Sequence, residues 1–263
     1  MNTQKIKAAD TEISFYDEGK GKPIVLIHGF AGGKEYWDKI IPVLAKENRV
    51  IAVDLHGHGE SGMAKDHYSV EDMAGTIKEL IDHLRLEEVT MFGHSLGGYI
   101  TLAFAELYPQ YLNGFSLVHS TANADSEEAK KGRDANSEKI QEEGPGSFID
   151  GLSKKLFSPD NLELNMDEIA ETVKIGLKTS VKGLVSALAA MKNRPDRNYV
   201  LEETELPVLL IAGELDQIVP PEKTFTVDKP NIHKYIIKNS GHMSMYEQPN
   251  DLVKAMHDFL AKL

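Results

Sequence analysis

The feature that most constrains the fold is a serine flanked by glycines in residues 93–98, Gly-His-Ser-Leu-Gly-Gly. An apolar run, 89–92, precedes it, and an apolar run with helical spacing, 99–105, follows it. The pattern predicts a tight corner between a buried strand and a helix. Glycine on both sides lets the backbone turn sharply enough to raise the hydroxyl of Ser95 above the edge of a sheet. A serine held in this way is a candidate nucleophile.

The order of buried strand, glycine-containing loop and helix occurs several times along the chain. The predicted strands of this series are 23–27, 49–54, 89–92, 115–119, 207–212 and 234–238. Ser69 and Asp72 are close to a capping box and predict the start of a helix, and Pro249 opens another. Near the N-terminus, the alternating run 12–17 indicates an antiparallel strand. Repeated βα units with buried strands predict an α/β fold, with a mostly parallel sheet covered by helices on both faces.

The alternation stops between residues 121 and 203, where no strand pattern occurs. We expect a helical cap or lid there, inserted between a first core part, 1–120, and a second core part, 204–263. An insertion that leaves the carboxyl edge of the sheet lies over Ser95. Two interpretations of 125–143 stay open: a disordered acidic linker, or a surface helix with one thin apolar stripe.

Composition argues against several kinds of partner. The chain of 263 residues carries a formal net charge of −12, so nucleic acid and anionic membrane surfaces would be repelled. It contains no cysteine, which excludes disulfides, thiolate metal sites and a cysteine nucleophile. Residues 1–7 are polar, and no apolar run approaches membrane-spanning length. We therefore expect a cytoplasmic protein without a membrane partner.

A serine nucleophile requires a base, and the base requires a group that orients it. Asp216 follows one late predicted strand, and His242 follows the next. Both are therefore expected at the carboxyl edge of the sheet, beside Ser95, where α/β sheets place their sites. Glu214 is an alternative acid, but Asp216 is favoured by its place in the Gly-x-x-Asp pattern of residues 213–216.

These residues together resemble the α/β-hydrolase superfamily, and within it the small bacterial esterases and lactonases that carry a helical cap. The motifs that carry the resemblance are 28–30 (His-Gly-Phe), 54–61 (Asp-Leu-His-Gly-His-Gly-Glu-Ser), 93–98, 213–216 (Gly-Glu-Leu-Asp) and 241–242 (Gly-His). They come from both parts of the predicted core. The insertion resembles the family only weakly, apart from residues 194–196 (Arg-Pro-Asp), which resemble a segment often found before the strand that precedes the acid. The fold is therefore better supported than the substrate.

The resemblance implies a role for each site residue. Ser95 attacks an acyl carbonyl, His242 transfers the proton, and Asp216 orients the imidazole. The backbone N–H groups of Phe30 and Leu96 hold the oxyanion. The implied activity is hydrolysis of a small-molecule ester or lactone, with no cofactor and no metal. The same catalytic residues also serve carbon–carbon bond hydrolysis and cofactor-free perhydrolysis, and the scaffold also serves as a ligand receptor.

We expect mainly structural roles for the other histidines. His28, His56, His58 and His94 are expected to organise loops through hydrogen bonds, as such positions do in this family. The pair His56 and His58 lacks a third ligand at a spacing that indicates a metal site. His119 ends a predicted strand at the site edge, and is either a satisfied core histidine or part of the pocket wall. Apolar side chains expected in that wall are Phe148, Leu152, Phe157, Leu184, Leu188 and Met191.

Overall fold

The computed structural model describes residues 1–8 and 11–263, which contain one sheet of eight strands. The strands are β1 (Thr3–Ala8), β2 (Thr11–Gly19), β3 (Lys22–Ile27), β4 (Asn48–Val53), β5 (Val89–His94), β6 (Leu112–Val118), β7 (Val208–Gly213) and β8 (Ile232–Ile237). Their order in the sheet is β1-β2-β4-β3-β5-β6-β7-β8. β2 is antiparallel to both β1 and β4, and all other neighbours are parallel. The predicted mostly parallel sheet is confirmed.

The parallel strands separate two hydrophobic cores. Along β3, Val25 and Ile27 belong to one buried cluster, whereas Ile24 and Leu26 belong to the other. Because successive side chains of a strand point to opposite faces, both faces of the sheet are covered. This explains why the strands read as continuous apolar runs in the sequence.

The helices follow the predicted order along the chain. The helices are α1 (Ile41–Leu44), α2 (Val70–His83), α3 (Leu96–Leu107), α4 (Glu127–Glu143), α5 (Gly146–Leu156), α6 (Met166–Leu177), α7 (Val181–Asn193), α8 (Asn198–Glu203), α9 (Pro221–Thr224), α10 (Ser244–Glu247) and α11 (Pro249–Leu260). α2 begins at a complete capping box, in which Ser69 and Asp72 each accept a hydrogen bond from the other's backbone N–H. Within the described residues, no helix is both long and apolar enough to span a bilayer.

Five helices, α4 to α8, lie between β6 and β7, and we call them the inserted helices. α4 begins at Ser126, whose side chain accepts a hydrogen bond from the N–H of Ala129 (3.2 Å). Its one fully buried apolar side chain is Ile140. The charged segment is therefore the surface helix with a thin apolar stripe, and the disordered-linker interpretation is wrong.

Candidate active site

Ser95 occupies the corner between β5 and α3 in a strained backbone conformation. Its φ is 52° and its ψ is −113°, a region that non-glycine residues rarely adopt. The N–H of Ser95 donates to the carbonyl of Val118 on the neighbouring strand (3.0 Å). A Cβ atom added at Gly93 would lie 2.2 Å from the oxygen of Gly97, and one at Gly97 would lie 2.4 Å from the oxygen of Ile27. Both flanking positions therefore require glycine.

The loops after β7 and β8 bring an acid and a histidine together. Nδ1 of His242 lies 2.7 Å from Oδ2 of Asp216, and both side chains are buried. Oδ1 of Asp216 accepts hydrogen bonds from the N–H groups of Ile218 (2.8 Å) and Val219 (2.9 Å). The alternative acid, Glu214, instead accepts a hydrogen bond from the N–H of Asn239. Asp216 is thus the carboxylate that contacts His242.

The environment of Asp216 keeps its carboxylate ionised. Burial by itself would raise the pKa of Asp216, but the charge of His242 and the hydrogen bonds from His119 and His242 outweigh it. Together they hold the pKa of Asp216 well below its ordinary value. An ionised Asp216 accepts the Nδ1 proton of His242, which leaves the Nε2 lone pair of that ring free to take a proton.

The imidazole of His119 also contacts the carboxylate of Asp216. Its Nδ1 lies 3.2 Å from Oδ2 of Asp216, and its Nε2 lies 2.7 Å from Oγ of Ser244. The ring is fully buried, and burial lowers its pKa. His119 therefore braces Asp216 from inside the protein. It is the satisfied core histidine of the two alternatives, and its assignment to the pocket wall is wrong.

Two further buried histidines tie the loops of the site together. Nδ1–H of His28 donates to the carbonyl of Gly29 (2.7 Å), and its Nε2 accepts from the N–H of Leu55 (3.0 Å). Nε2–H of His94 donates to the carbonyl of His242 (2.9 Å). Burial lowers the pKa of His28 to about 4 and that of His94 well below its ordinary value. Both rings are therefore neutral at pH 7, with the loop-organising role expected for them.

The two candidate oxyanion donors lie at this corner with free N–H groups. Phe30 follows β3, and Leu96 is the first residue of α3. Neither backbone N–H donates to another described residue. The loop that carries Phe30 is anchored by Lys34, whose backbone N–H and Nζ both donate to Asp54 at 2.7 Å. Free N–H groups beside a nucleophile suit the binding of a developing oxyanion.

Among the described residues, one group has the composition of a metal site. Its members are His119, Asp216 and His242, with potential ligand atoms within 4.8 Å of one another. An ion bound there would displace the proton that Nδ1 of His242 donates to Asp216. His56 and His58 are engaged separately, because Nε2 of His56 contacts Oγ1 of Thr76 and Nδ1 of His58 donates to the carbonyl of His56.

A cavity of about 390 Å³ opens at the corner, between the sheet edge and the inserted helices. Its core side includes Phe30, His94, Ser95 and His242, which places the candidate nucleophile and base on one surface. The other lining residues are Tyr99, Thr121, Asn123, Ala124, Asp125, Ser126, Ala129, Arg133, Leu152, Leu156, Met191, Arg194, Ile218, Val219 and Lys223. Residues 121–203, in both their helices and their loops, thus contribute much of the wall.

Two of the predicted wall residues, Leu152 and Met191, line this cavity. The other four apolar candidates lie elsewhere, and their assignment to the wall is wrong. Leu184 and Leu188 are in the hydrophobic core, Phe148 packs on the ring of Phe30, and Phe157 stacks on Tyr246. Their hydrophobicity is used to hold the inserted helices in place.

Charged residues occupy the wall instead, and the sequence reasoning missed them. Asp125, Arg133, Arg194 and Lys223 all line the cavity. Asp125 precedes α4 and Arg133 lies within it, in the charged segment 125–143 that the sequence indicates is a linker or a surface helix. Arg194 stood in the one segment of the insertion that resembled the family, residues 194–196, and this was the available signal.

Comparison with known proteins agrees with this geometry. The dihydrolipoyllysine-residue acetyltransferase component of an acetoin cleaving system from Pseudomonas putida is 30% identical over 92% of this chain. The chain spans only 64% of that relative. A hydrolase of 2-hydroxy-6-oxo-6-(2'-aminophenyl)hexa-2,4-dienoic acid from Metapseudomonas resinovorans is 26% identical over 98% of this chain and 90% of its own length.

A solved structure is similar over the whole chain. It is a malate-bound thermophilic esterase from Thermogutta terrifontis, with a TM-score of 0.94 and 31% identity, covering 100% of this chain and 99% of that one. Residues 22–249 also match the family described as having the alpha/beta hydrolase fold. The strand order, the strained serine corner and these similarities lead to one conclusion: the chain belongs to the α/β-hydrolase family.

Proposed function

We propose that this chain is a serine hydrolase that cleaves a small carboxylic ester or lactone through an acyl-enzyme on Ser95. The observation that carries the proposal is the 2.7 Å contact of His242 with Asp216 in the loops beside a cavity that Ser95 and His242 both line. A nucleophile, a base and an orienting acid are the set that acyl transfer requires.

Acylation follows from this arrangement. Nε2 of His242 takes the proton of Ser95 as Oγ attacks the carbonyl carbon, and Asp216 stabilises the imidazolium that forms. The oxyanion accepts hydrogen bonds from the N–H groups of Phe30 and Leu96. Collapse of the tetrahedral intermediate breaks the bond to the leaving oxygen, which receives the proton from His242.

Deacylation repeats the sequence with water. His242 removes a proton from water, the hydroxide attacks the acyl carbonyl, and the proton returns to Oγ of Ser95 as the acid product leaves. The cavity volume of about 390 Å³ fits a small substrate. We propose that residues 121–203 act as the cap that excludes bulk water and limits the size of the acyl group.

Carbon–carbon bond hydrolysis is a second candidate function. The relative from Metapseudomonas resinovorans, which spans nearly the whole chain, is named for such a substrate class. The same serine, histidine and aspartate would serve that reaction, so the distinction depends on the substrate that the wall accepts. A substrate panel that includes vinylogous diketo acids beside esters and lactones separates the two candidates.

The first test measures hydrolysis of p-nitrophenyl esters of short acids, together with labelling by a fluorophosphonate. We expect turnover and labelling in the wild type, and loss of both in Ser95→Ala with the fold intact. The turnover should fall by several orders of magnitude, because nucleophile and base act as a unit. Ser147→Ala, at an exposed position of α5, is the matched control. Unchanged turnover in Ser95→Ala would exclude the mechanism, and labelling without turnover would favour a receptor.

A further inference from the structure

The wall of the cavity carries an excess of positive charge. Besides the histidines and Tyr99, its ionisable side chains are three cations, Arg133, Arg194 and Lys223, and one carboxylate, Asp125. The chain as a whole has a formal net charge of −12. A cationic wall in an acidic protein favours an anionic ligand over a neutral or cationic one.

One of the arginines uses two of its three guanidinium nitrogens for contacts within the protein. Nη1 of Arg194 lies 2.7 Å from Oδ1 of Asp125 and donates to the carbonyl of Met191 (2.7 Å). Its Nε donates to the carbonyl of Asn123 (3.2 Å), and its guanidinium lies 3.8 Å from the ring centre of Tyr99. The side chains of Arg194 and Asp125 are each only 5% exposed. This pair is a fixed part of the wall.

Arg133 is different, because most of its hydrogen-bonding capacity is unused. Its Nε donates to Oδ2 of Asp125 (3.1 Å), which orients the side chain. Its two terminal nitrogens donate to no other described residue, and the side chain is 26% exposed. A guanidinium with both terminal N–H groups free matches a carboxylate, which accepts two parallel hydrogen bonds.

Lys223 adds a second available cation. It lies on α9, in the segment that follows Asp216, and lines the same cavity. Among residues 1–8 and 11–263, its Nζ has no hydrogen-bond or ion-pair partner. Asp125 does not oppose an incoming anion strongly, because each of its oxygens already faces an arginine.

We propose that the natural substrate carries a carboxylate remote from the scissile bond, and that Arg133 binds this carboxylate while Lys223 attracts it. This inference rests on the proposed function and specifies its substrate class: half-esters of dicarboxylic acids, or lactones that bear a free carboxylate. Arg133 fixes the remote end of the substrate, and the carbonyl is thereby held in register with Ser95.

Two esters with acyl chains of equal length test the proposal. Mono-p-nitrophenyl adipate has a carboxylate where p-nitrophenyl hexanoate has a methyl group. We expect wild-type kcat/KM to be higher for the adipate by about 10- to 100-fold, the range for a charge-assisted hydrogen-bonded pair. Arg133→Gln should remove most of this preference, chiefly through KM, and Arg133→Lys should restore part of it.

The matched control is Lys131→Gln, which makes the same charge change two residues away on α4, at an exposed position outside the cavity lining. It should keep the wild-type preference. Lys223→Gln should reduce the preference by about two- to fivefold, and the reduction should shrink in 0.5 M NaCl because salt screens an exposed charge. Melting temperatures show whether each variant is folded. If Arg133→Gln is not folded, Arg133→Lys replaces it in the test.

The possible failures are distinguishable. Hydrolysis of the hexanoate with no preference for the adipate, or a preference unchanged in Arg133→Gln, overturns the carboxylate subsite and leaves the serine hydrolase proposal standing. Hydrolysis of neither ester contradicts the proposed function for these acyl chains, and the subsite is then tested by calorimetry with monoethyl adipate. Binding that Arg133→Gln abolishes supports the subsite. If the wild type does not bind monoethyl adipate, or if the wild type and Arg133→Gln bind it equally, the subsite is overturned.

Discussion

The two sides of the cavity are held together by different interactions. On the sheet side, buried histidines that are neutral at pH 7 hold the loops. His28 accepts a hydrogen bond from the N–H of Leu55, His94 donates to the carbonyl of His242, and His58 donates to the carbonyl of His56 within its own loop. On the side of the inserted helices, ion pairs connect the helices to the core. The difference predicts that the sheet side is sensitive to acid and the inserted helices are sensitive to salt.

The ion pairs between the inserted helices and the core are partly exposed. Examples are Lys39 with Glu168 at 2.8 Å and Lys178 with Glu35 at 2.9 Å. Arg197 pairs with Glu106 at 2.9 Å and also with Glu71. The sheet side contains an ion pair of a different kind, Lys34 with Asp54, in which both side chains are fully buried. Burial therefore distinguishes the pair of Lys34 and Asp54 from the pairs that connect the inserted helices to the core.

The largest expected effect is the loss of the acid on the sheet side. Asp216→Asn should lower kcat by about 10⁴-fold, because the amide stabilises the wrong tautomer of His242 and no longer balances the imidazolium. Steady-state kinetics with a p-nitrophenyl ester measures this loss. Glu214→Gln, two residues away and exposed, is the control and should stay within a few-fold of the wild type. Similar losses in both variants would place the acid elsewhere.

Acid should destabilise the protein through the buried histidines. Burial lowers the pKa of His28 and His56 to about 4 and that of His58 to about 3. Between pH 6.5 and 4 the unfolded chain binds protons on these rings and the folded protein does not, so stability falls as the pH falls. Each ring contributes up to about 1.4 kcal/mol per pH unit.

Urea unfolding at pH 7, 6 and 5 measures this slope. His58→Asn should unfold with a shallower pH dependence than the wild type, by about one proton, whatever its stability at pH 7. Asp216 should contribute little to the slope in this range, because a carboxyl whose pKa is lowered by folding is ionised in both the folded and the unfolded chain above about pH 5. An identical slope in the wild type and His58→Asn would contradict the assignment of a neutral buried ring.

The buried ion pair on the sheet side provides the sharpest contrast with the exposed pairs. Lys34→Met leaves the carboxylate of Asp54 buried without its partner, and should cost about 3–5 kcal/mol of unfolding free energy. Lys39→Met makes the same substitution in the exposed pair with Glu168, and should cost about 0.2–1 kcal/mol. Urea unfolding at pH 7 compares them directly. Equal costs would remove the distinction between buried and exposed pairs.

The smallest expected effect is that of salt on the inserted helices. Raising NaCl from 0.05 to 1 M shortens the screening length to about 3 Å, which weakens the exposed pairs of Lys39 and Lys178. Amide hydrogen exchange in α6 and α7 should quicken a few-fold, whereas exchange in β3 and β5 should not change. Mass-spectrometric exchange on peptides from both regions measures this. Uniform acceleration would indicate that the whole protein is destabilised rather than the inserted helices alone.

Sequence reasoning succeeded where a local pattern carries the structure. The corner at Ser95, the capping box that opens α2 and the buried parallel strands each depend on residues that are near one another in the chain. The loops that hold Asp216 and His242 could be placed beside Ser95 because parallel strands bring their carboxyl ends to one edge. The helical conformation of α4 was harder to predict, because its apolar stripe is reduced to Ile140.

The sequence by itself therefore determined the fold family, the serine corner and the two residues expected to act with it. Only the tertiary structure decided the cavity wall, where Asp125 meets both Arg133 and Arg194, and the place of His119 behind Asp216. The physical reason is that these contacts join segments distant in the chain through the docking of helices. No periodicity or spacing records which side chains such docking leaves facing a cavity and which it buries in a core.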